Sequence, residues 1–174
     1  FGFGTDGQTQ FGGIHTSIYG NNMADYTQFL ADEAASLAFA QQLANMLKPS
    51  LTVYLAGDLG AGKTTLTRGL LRAWSFEGTV KSPTYTIVES YELEGFKVEH
   101  FDLYRFQSPE EWLDAGLDEL FDEQTIALIE WPQMATGFVP EADLTIALSV
   151  QDAGRLCTIT PHTELAQKML APCL

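Results

Sequence analysis

The string Gly57-Asp58-Leu59-Gly60-Ala61-Gly62-Lys63-Thr64 constrains this chain more than any other feature, because it reads G-x-x-x-x-G-K-[ST]. Glycines at these spacings let the backbone turn so that successive N–H groups converge on an anion. The lysine of such a loop reaches the β- and γ-phosphates of a nucleotide, and the hydroxyl after it serves a magnesium ion. The loop works only between a strand and a helix, and both are present. Residues 51–56, Leu-Thr-Val-Tyr-Leu-Ala, form an apolar run of strand length, and residues 64–74 put Leu66, Leu70 and Leu71 on one side of a helix. The chain is therefore expected to bind ATP or GTP.

Charge and length narrow the field. With 174 residues the chain is long enough for one domain with a real core and too short for two comfortable ones. Its 9 basic against 23 acidic residues repel polyanions over most of the surface, which argues against autonomous binding to bulk RNA or DNA. Nucleotide binding survives that charge, since the loop uses backbone dipoles and one lysine. Cys157 and Cys173 lack metal or redox spacing and read as free thiols of a reducing, cytoplasmic compartment. No apolar stretch approaches a membrane span. Residues 1–22, rich in glycine and polar filler, carry neither the basic start nor the apolar block of a signal peptide. They are expected to be a flexible leader, vector-derived or otherwise atypical, with Met23 as the natural start and residues 23–174 as a single domain.

Beyond the leader the pattern is regular. Leu37, Ala40, Ala44 and Leu47 step by three and four along one helix face that ends before Pro49. Ser82-Pro83-Thr84-Tyr85-Thr86 is a rigid turn rich in hydroxyls. Residues 85–93 and 96–104 are β-prone runs separated by Glu94-Gly95, a hairpin connection where a standard parallel fold would place a crossover helix. Acidic helical segments across residues 109–123 precede a buried strand at 125–129. Strands at 144–150 and 155–160 flank the turn Gln151-Asp152-Ala153-Gly154, and a last helix covers about 163–170. These elements predict an α/β, three-layer fold with a mixed central sheet, part parallel and part antiparallel hairpin.

Hydrolysis needs a carboxylate to help hold magnesium or orient water, and it usually stands at the end of a strand beside the loop strand. Asp102 ends the second hairpin strand, and Glu130 directly follows the apolar run Ile126-Ala127-Leu128-Ile129. Ligands of open α/β sheets bind at strand carboxyl ends, which favours a catalytic reading of both over ordinary solvated carboxylates. Trp131 reads equally as a core aromatic stiffened by Pro132 and as a residue of the site. Arg155 reads first as a surface arginine and second as one that reaches the nucleotide. The acidic residues Glu110, Glu111, Asp114, Asp118, Glu119, Asp122 and Glu123 read first as a solvated face and second as a docking surface.

Taken in order, the loop from Gly57 through Thr65, then Ser82 to Thr86, then His100-Phe101-Asp102-Leu103-Tyr104-Arg105, then Ile129-Glu130-Trp131-Pro132 closely resemble the signatures of the TsaE (YjeE) family. Its members are bacterial P-loop ATPases required for threonylcarbamoyladenosine (t6A) formation in tRNA. The resemblance covers roughly residues 32–160. It implies a P-loop NTPase-like fold in which Gly57 to Thr65 cradle ATP, Lys63 binds phosphates and Thr64 coordinates Mg2+ with help from Glu130. It further implies that Asp102 supports hydrolysis near the γ-phosphate, that Ser82, Pro83, Thr84, Tyr85 and Thr86 act as a switch, and that Trp131 packs beside the site. Partners implied are TsaB and TsaD, with tRNA met only through their complex, and hydrolysis by the chain alone is expected to be weak. The chain departs from the family near Glu33 to Ala35, where alanines stand in place of an expected threonine. A small-molecule kinase is the alternative, but four arginines, Arg68, Arg72, Arg105 and Arg155, supply no arginine-rich lid. A GTPase would carry Asn-Lys-x-Asp, which is absent; a nucleotide-binding adaptor with incidental hydrolysis is the third reading.

Overall fold

The computed structural model describes residues 14–16 and 24–173. Met23 and most of the leader, residues 1–13 and 17–22, lie outside the described residues, and so do the expectations about a flexible leader and a natural start.

The phosphate loop joins β3 (Leu51–Ala56) to α2 (Lys63–Ala73), as its sequence requires. Around that unit the chain adds β1 (Ile14–Thr16), β2 (Ala24–Leu30) and α1 (Glu33–Met46) before it, and β4 (Val88–Leu93), β5 (Phe96–Asp102), α3 (Glu111–Asp114), β6 (Thr125–Glu130), β7 (Leu144–Gln151), β8 (Gly154–Pro161) and α4 (Glu164–Leu170) after it. The strands form one eight-stranded sheet in the order β1-β2-β8-β7-β3-β6-β5-β4. Its centre is parallel, β7-β3-β6-β5, and both flanks are antiparallel. The expected α/β, P-loop NTPase-like fold with a mixed sheet is what the chain adopts. No helix among the described residues is long and apolar enough to cross a membrane.

Strand periodicity sorts the core into two faces. Leu51, Val53 and Leu55 of β3 and Ile126 and Leu128 of β6 point toward α1, α2 and α4. Ala127 and Ile129 of β6 point the other way, onto Trp112, Leu117 and Phe121 of the short acidic helices. The central β6 is buried on both faces along its whole length. Helix α1 starts where Asp32 accepts a hydrogen bond from the Ala35 N–H at 2.8 Å, an N-cap that satisfies one orphan donor. It packs tightly on α2: a Cβ at Gly69 would lie 2.6 Å from the Ala40 Cβ.

Four local expectations need correction. Leu37 lies against Gly69 of α2 beside Ala40 but stays partly exposed, and the buried face of α1 is Phe39, Ala40, Leu43 and Ala44, continued by Leu47. β4 begins at Val88, not Tyr85, because Ile87 N–H donates back to the Pro83 carbonyl at 2.8 Å and closes a turn. β5 ends at Asp102, not Tyr104, because the Asp102 carboxylate captures the Tyr104 N–H at 3.0 Å. The acidic stretch yields only α3 and a 3-10 turn, Leu117–Leu120, since Gly116 takes a left-handed conformation (φ 66°) between them. β2, whose buried apolar side chains among the described residues are Tyr26 and Leu30, was not foreseen at all.

Candidate functional site

Register places the two candidate carboxylates. β5 and β6 run parallel with Asp102 opposite Glu130, and β6 runs beside β3 with Glu130 opposite Leu55. Both acids therefore stand at strand carboxyl ends next to the mouth of the phosphate loop. A cleft of about 250 Å³ there is lined by Asp58, Leu59, Gly60, Gly62, Lys63, Thr64, Thr65, Ser82, Thr84, Asp102, Glu130 and Trp131. A second hollow of about 290 Å³ shares Asp58, Lys63 and Trp131 but runs along Tyr54, Pro132, Gln133 and Thr145. Of the two, the first joins Thr64 to both carboxylates and is the candidate site.

The loop takes its shape from glycine conformations. Gly57, Gly60 and Gly62 have φ of 145°, 78° and 105°, which side-chain-bearing residues rarely adopt. At Gly57 the space is also closed: a Cβ would lie 2.5 Å from the Leu148 carbonyl oxygen. Lys63 begins α2, so the loop N–H groups and the helix N-terminus offer partial positive charge to one anion. Its ammonium, nearly buried, donates to the Gly57 carbonyl and to that of Asp58 at 3.4 Å, and lies 3.7 Å from Glu130 Oε1. The Trp131 ring stands 5.7 Å from it in a cation–π arrangement and is braced by Tyr104, with centroids 5.2 Å apart. Trp131 reaches that place because its own φ is +57°, which turns the chain sharply out of β6.

Asp102 is held from two sides, by Tyr104 N–H on Oδ1 and by the Thr84 hydroxyl on Oδ2 at 3.2 Å. Thr84 in turn shares a hydrogen bond of 2.8 Å with Ser82. The remaining expected switch residues face elsewhere. Thr86 bonds Glu89 at 2.9 Å, and Tyr85 is 81% exposed with the Arg105 guanidinium 4.1 Å above its ring. Pro83 does not line the cleft; its carbonyl closes the turn onto Ile87. Arg155 also stays outside the cleft: its Nε and Nη2 donate to the carbonyls of Ala61 and Gly60, each at 3.1 Å. It braces the loop from behind.

The donor set suits magnesium. The Thr64 hydroxyl and the Asp102 and Glu130 carboxylates are hard oxygen ligands lining one cleft. Among the described residues no group of three or more His, Cys, Asp or Glu could hold a metal ion by itself. His100 is the polar residue whose role sequence reasoning missed, although it opens the motif that runs to Arg105. Its Nε2 lies 2.8 Å from Glu130 Oε2 and the side chain is fully buried. Its signal was its position two residues before Asp102, which in a strand means the same face.

Three comparisons bear on this geometry. The family model described as "Threonylcarbamoyl adenosine biosynthesis protein TsaE" matches residues 30–157. The tRNA threonylcarbamoyladenosine biosynthesis protein TsaE of Haemophilus influenzae is 41% identical over 154 residues, 86% of this chain and 98% of that protein. The protein of the same name from Bacillus subtilis is 38% identical over 111 residues, 64% of this chain and 69% of its own length. The crystal structure of Bacillus subtilis YdiB superposes with a TM-score of 0.75 at 26% identity, covering 88% of this chain and 97% of that one.

Proposed function

The chain belongs to the TsaE family, and from that premise we propose that it is a cytoplasmic, ATP-binding and ATP-hydrolysing accessory protein for t6A modification of tRNA, acting on a TsaB–TsaD complex. The observation that carries this reading is the juxtaposition, in one cleft, of Lys63 and Thr64 at the start of α2 with Asp102 and Glu130 at adjacent strand ends. Gly57 to Thr65 cradle the phosphates. Lys63, freed from its loop carbonyls, pairs with the β- and γ-phosphates. Thr64 and Glu130 hold Mg2+, which when bound supplies charge neutralisation on the phosphate oxygens. Asp102 stands by the γ-phosphate and orients water. Arg155 contributes through the shape of the loop, and Ser82 to Thr86 report the γ-phosphate to the surface.

None of the arginines lines the cleft. Arg72 bonds the carbonyls of Phe76 and Gly78, Arg105 lies on Tyr85 and Arg155 holds the loop. The cleft thus has Lys63 but no arginine of the kind that speeds turnover in phosphoryl transfer systems, which supports weak hydrolysis by the free chain. It also counts against a kinase, which needs cations to close over a second substrate. With a net charge of −14, tRNA is met only through the partner complex.

The test is reconstitution of tRNA modification over many rounds with purified TsaB, TsaD and threonylcarbamoyl-adenylate. We expect the first round without this chain and later rounds only with it and ATP. Asp102→Ala should bind ATP and stop after one round. Full multi-round modification by a variant that binds but does not hydrolyse ATP would overturn the hydrolytic reading and leave an adaptor.

A further inference from the structure

Glu130 is the middle of a buried polar line. Oε1 faces Lys63 Nζ at 3.7 Å and Oε2 meets His100 Nε2 at 2.8 Å, all three side chains being nearly fully buried. His100 does not reach the cleft, where it lines nothing. It sits on β5 opposite Leu128, one pleat deeper than the Asp102–Glu130 pair. A carboxylate only accepts, so the imidazole hydrogen lies on Nε2, and Nδ1 is left with no partner among the described residues. A buried ring nitrogen without a partner costs free energy, and an apolar side chain would fill the same space without it. The bond to Glu130 is what the ring offers in return.

We propose that His100 is a positioning residue: it fixes Oε2 of Glu130 so that Oε1 stays aimed at the cleft mouth. Without that anchor the carboxylate is free to rotate and close on Lys63 with both oxygens, which withdraws the lysine from the phosphates and the carboxylate from the metal. Outer partners of metal-ligating carboxylates act in this way, and their loss typically costs 10–100-fold in metal affinity. The inference rests on the reading that Glu130 serves Mg2+.

The experiment measures the affinity of the full chain for a fluorescent ATP analogue in Mg2+ and in EDTA, and takes the ratio as the magnesium gain. His100→Leu should cut that gain by about 10- to 100-fold. His100→Gln, whose amide reaches the place of Nε2, should retain most of it, whereas His100→Asn, too short, should lose it. Should His100→Leu fail to fold, the Gln and Asn pair carries the test. An unchanged gain in the Leu or Asn variant, a Gln variant as poor as Asn, or equal losses with and without Mg2+ would overturn the proposal. Glu130→Gln separates the two levels. If it keeps the full gain, the Glu130 reading falls and positioning falls with it; if it loses the gain while His100→Leu does not, positioning alone falls.

Discussion

Arg155→Met separates two ways an arginine can serve a phosphate loop. The guanidinium donates to Ala61 and Gly60 within the loop, each at 3.1 Å, and to its neighbour Gly154 at 2.9 Å. Methionine keeps the apolar stem and removes every donor. A charged hydrogen bond contributes about 1.5–3 kcal/mol in a sheltered place, but this head group is partly solvated, and screening reduces the two loop bonds to about 1–2 kcal/mol together. That energy holds Gly60 and Ala61 in a conformation the nucleotide would otherwise have to impose. The variant should therefore bind ATP more weakly by up to about 5–30-fold, the factor that 1–2 kcal/mol represents, and the part of that energy not lost from binding is lost from the nucleotide-free fold. ADP affinity should fall by the same factor, since the loop is shared. Melting of the nucleotide-free protein should drop by about 2–4 °C per kcal/mol lost, the scale for chains of this size. Calorimetric titration with ATP and ADP, alongside thermal melts without nucleotide, checks all three. A loss confined to ATP, with an unchanged nucleotide-free melt, would refute the brace and put the guanidinium on the γ-phosphate.

Gly57→Ala should cost about 1–3 kcal/mol from its φ of 145° alone, and more from the Leu148 carbonyl 2.5 Å from the new methyl. Gly60→Ala, with open space around it, should cost less; urea melts in which the two variants match would refute the packing argument. Burial pushes the Glu99 carboxyl above its ordinary value, against the opposing pull of the Ser90 hydroxyl and Lys97. The native state then holds this proton more tightly than the unfolded chain, so its contribution is greatest at low pH and is lost as pH rises through the raised value. Glu99→Gln should accordingly melt higher than the parent at about pH 7.5 and converge with it near about pH 4; a lower melt at neutral pH would reverse the sign. Burial also pushes the Cys157 thiol up to about 12, so peptide mapping after treatment with a disulfide reagent at about pH 8 should find Cys157 unlabelled until the protein unfolds.

The elements legible in the sequence are those that local rules determine. The loop, its strand and its helix are fixed within 24 residues of sequence by glycine spacing and apolar periodicity, and the Glu94-Gly95 hairpin by turn chemistry, with Gly95 at φ 85°. Asp102 was legible because it ends the second hairpin strand, and Glu130 because it follows the apolar run of residues 126–129. Strand order was not legible, since β8 inserts between β2 and β7 through pairings of long sequence separation that no local pattern encodes. β2 escaped because, with Tyr26 and Leu30 as the buried apolar side chains among its described residues, its pattern barely alternates. The spacing of two residues puts His100 on the face of Asp102, but only the register that sets β5 against β6 brings it to Glu130, which no local pattern encodes. Arg155 stood out in the sequence as a candidate, but its place against the loop carbonyls was not legible, its partners being about ninety residues away.

Asp102 is where the cleft and the hydroxyl-rich turn meet. Its backbone N–H holds the Ile87 carbonyl at 2.8 Å, and its carboxylate holds Thr84 and the Tyr104 N–H. Ile87 is a β-branched residue at φ 71°, a conformation that costs about 1–3 kcal/mol and persists only while its surroundings enforce it. The enforcement comes from the Pro83 carbonyl, from Asp102 and from packing of the Ile87 side chain against the second core cluster. If Oδ2 turns toward a nucleotide or its metal, the Thr84 hydroxyl keeps Ser82 but loses its tie to β5, and one constraint on a strained turn is removed. The outer end of that turn is Tyr85, exposed and stacked under Arg105, three residues beyond Asp102. One carboxylate thus lines the cleft and anchors a segment with its own tendency to relax, so a ligand that drew Oδ2 into the cleft would have a mechanical route to the surface.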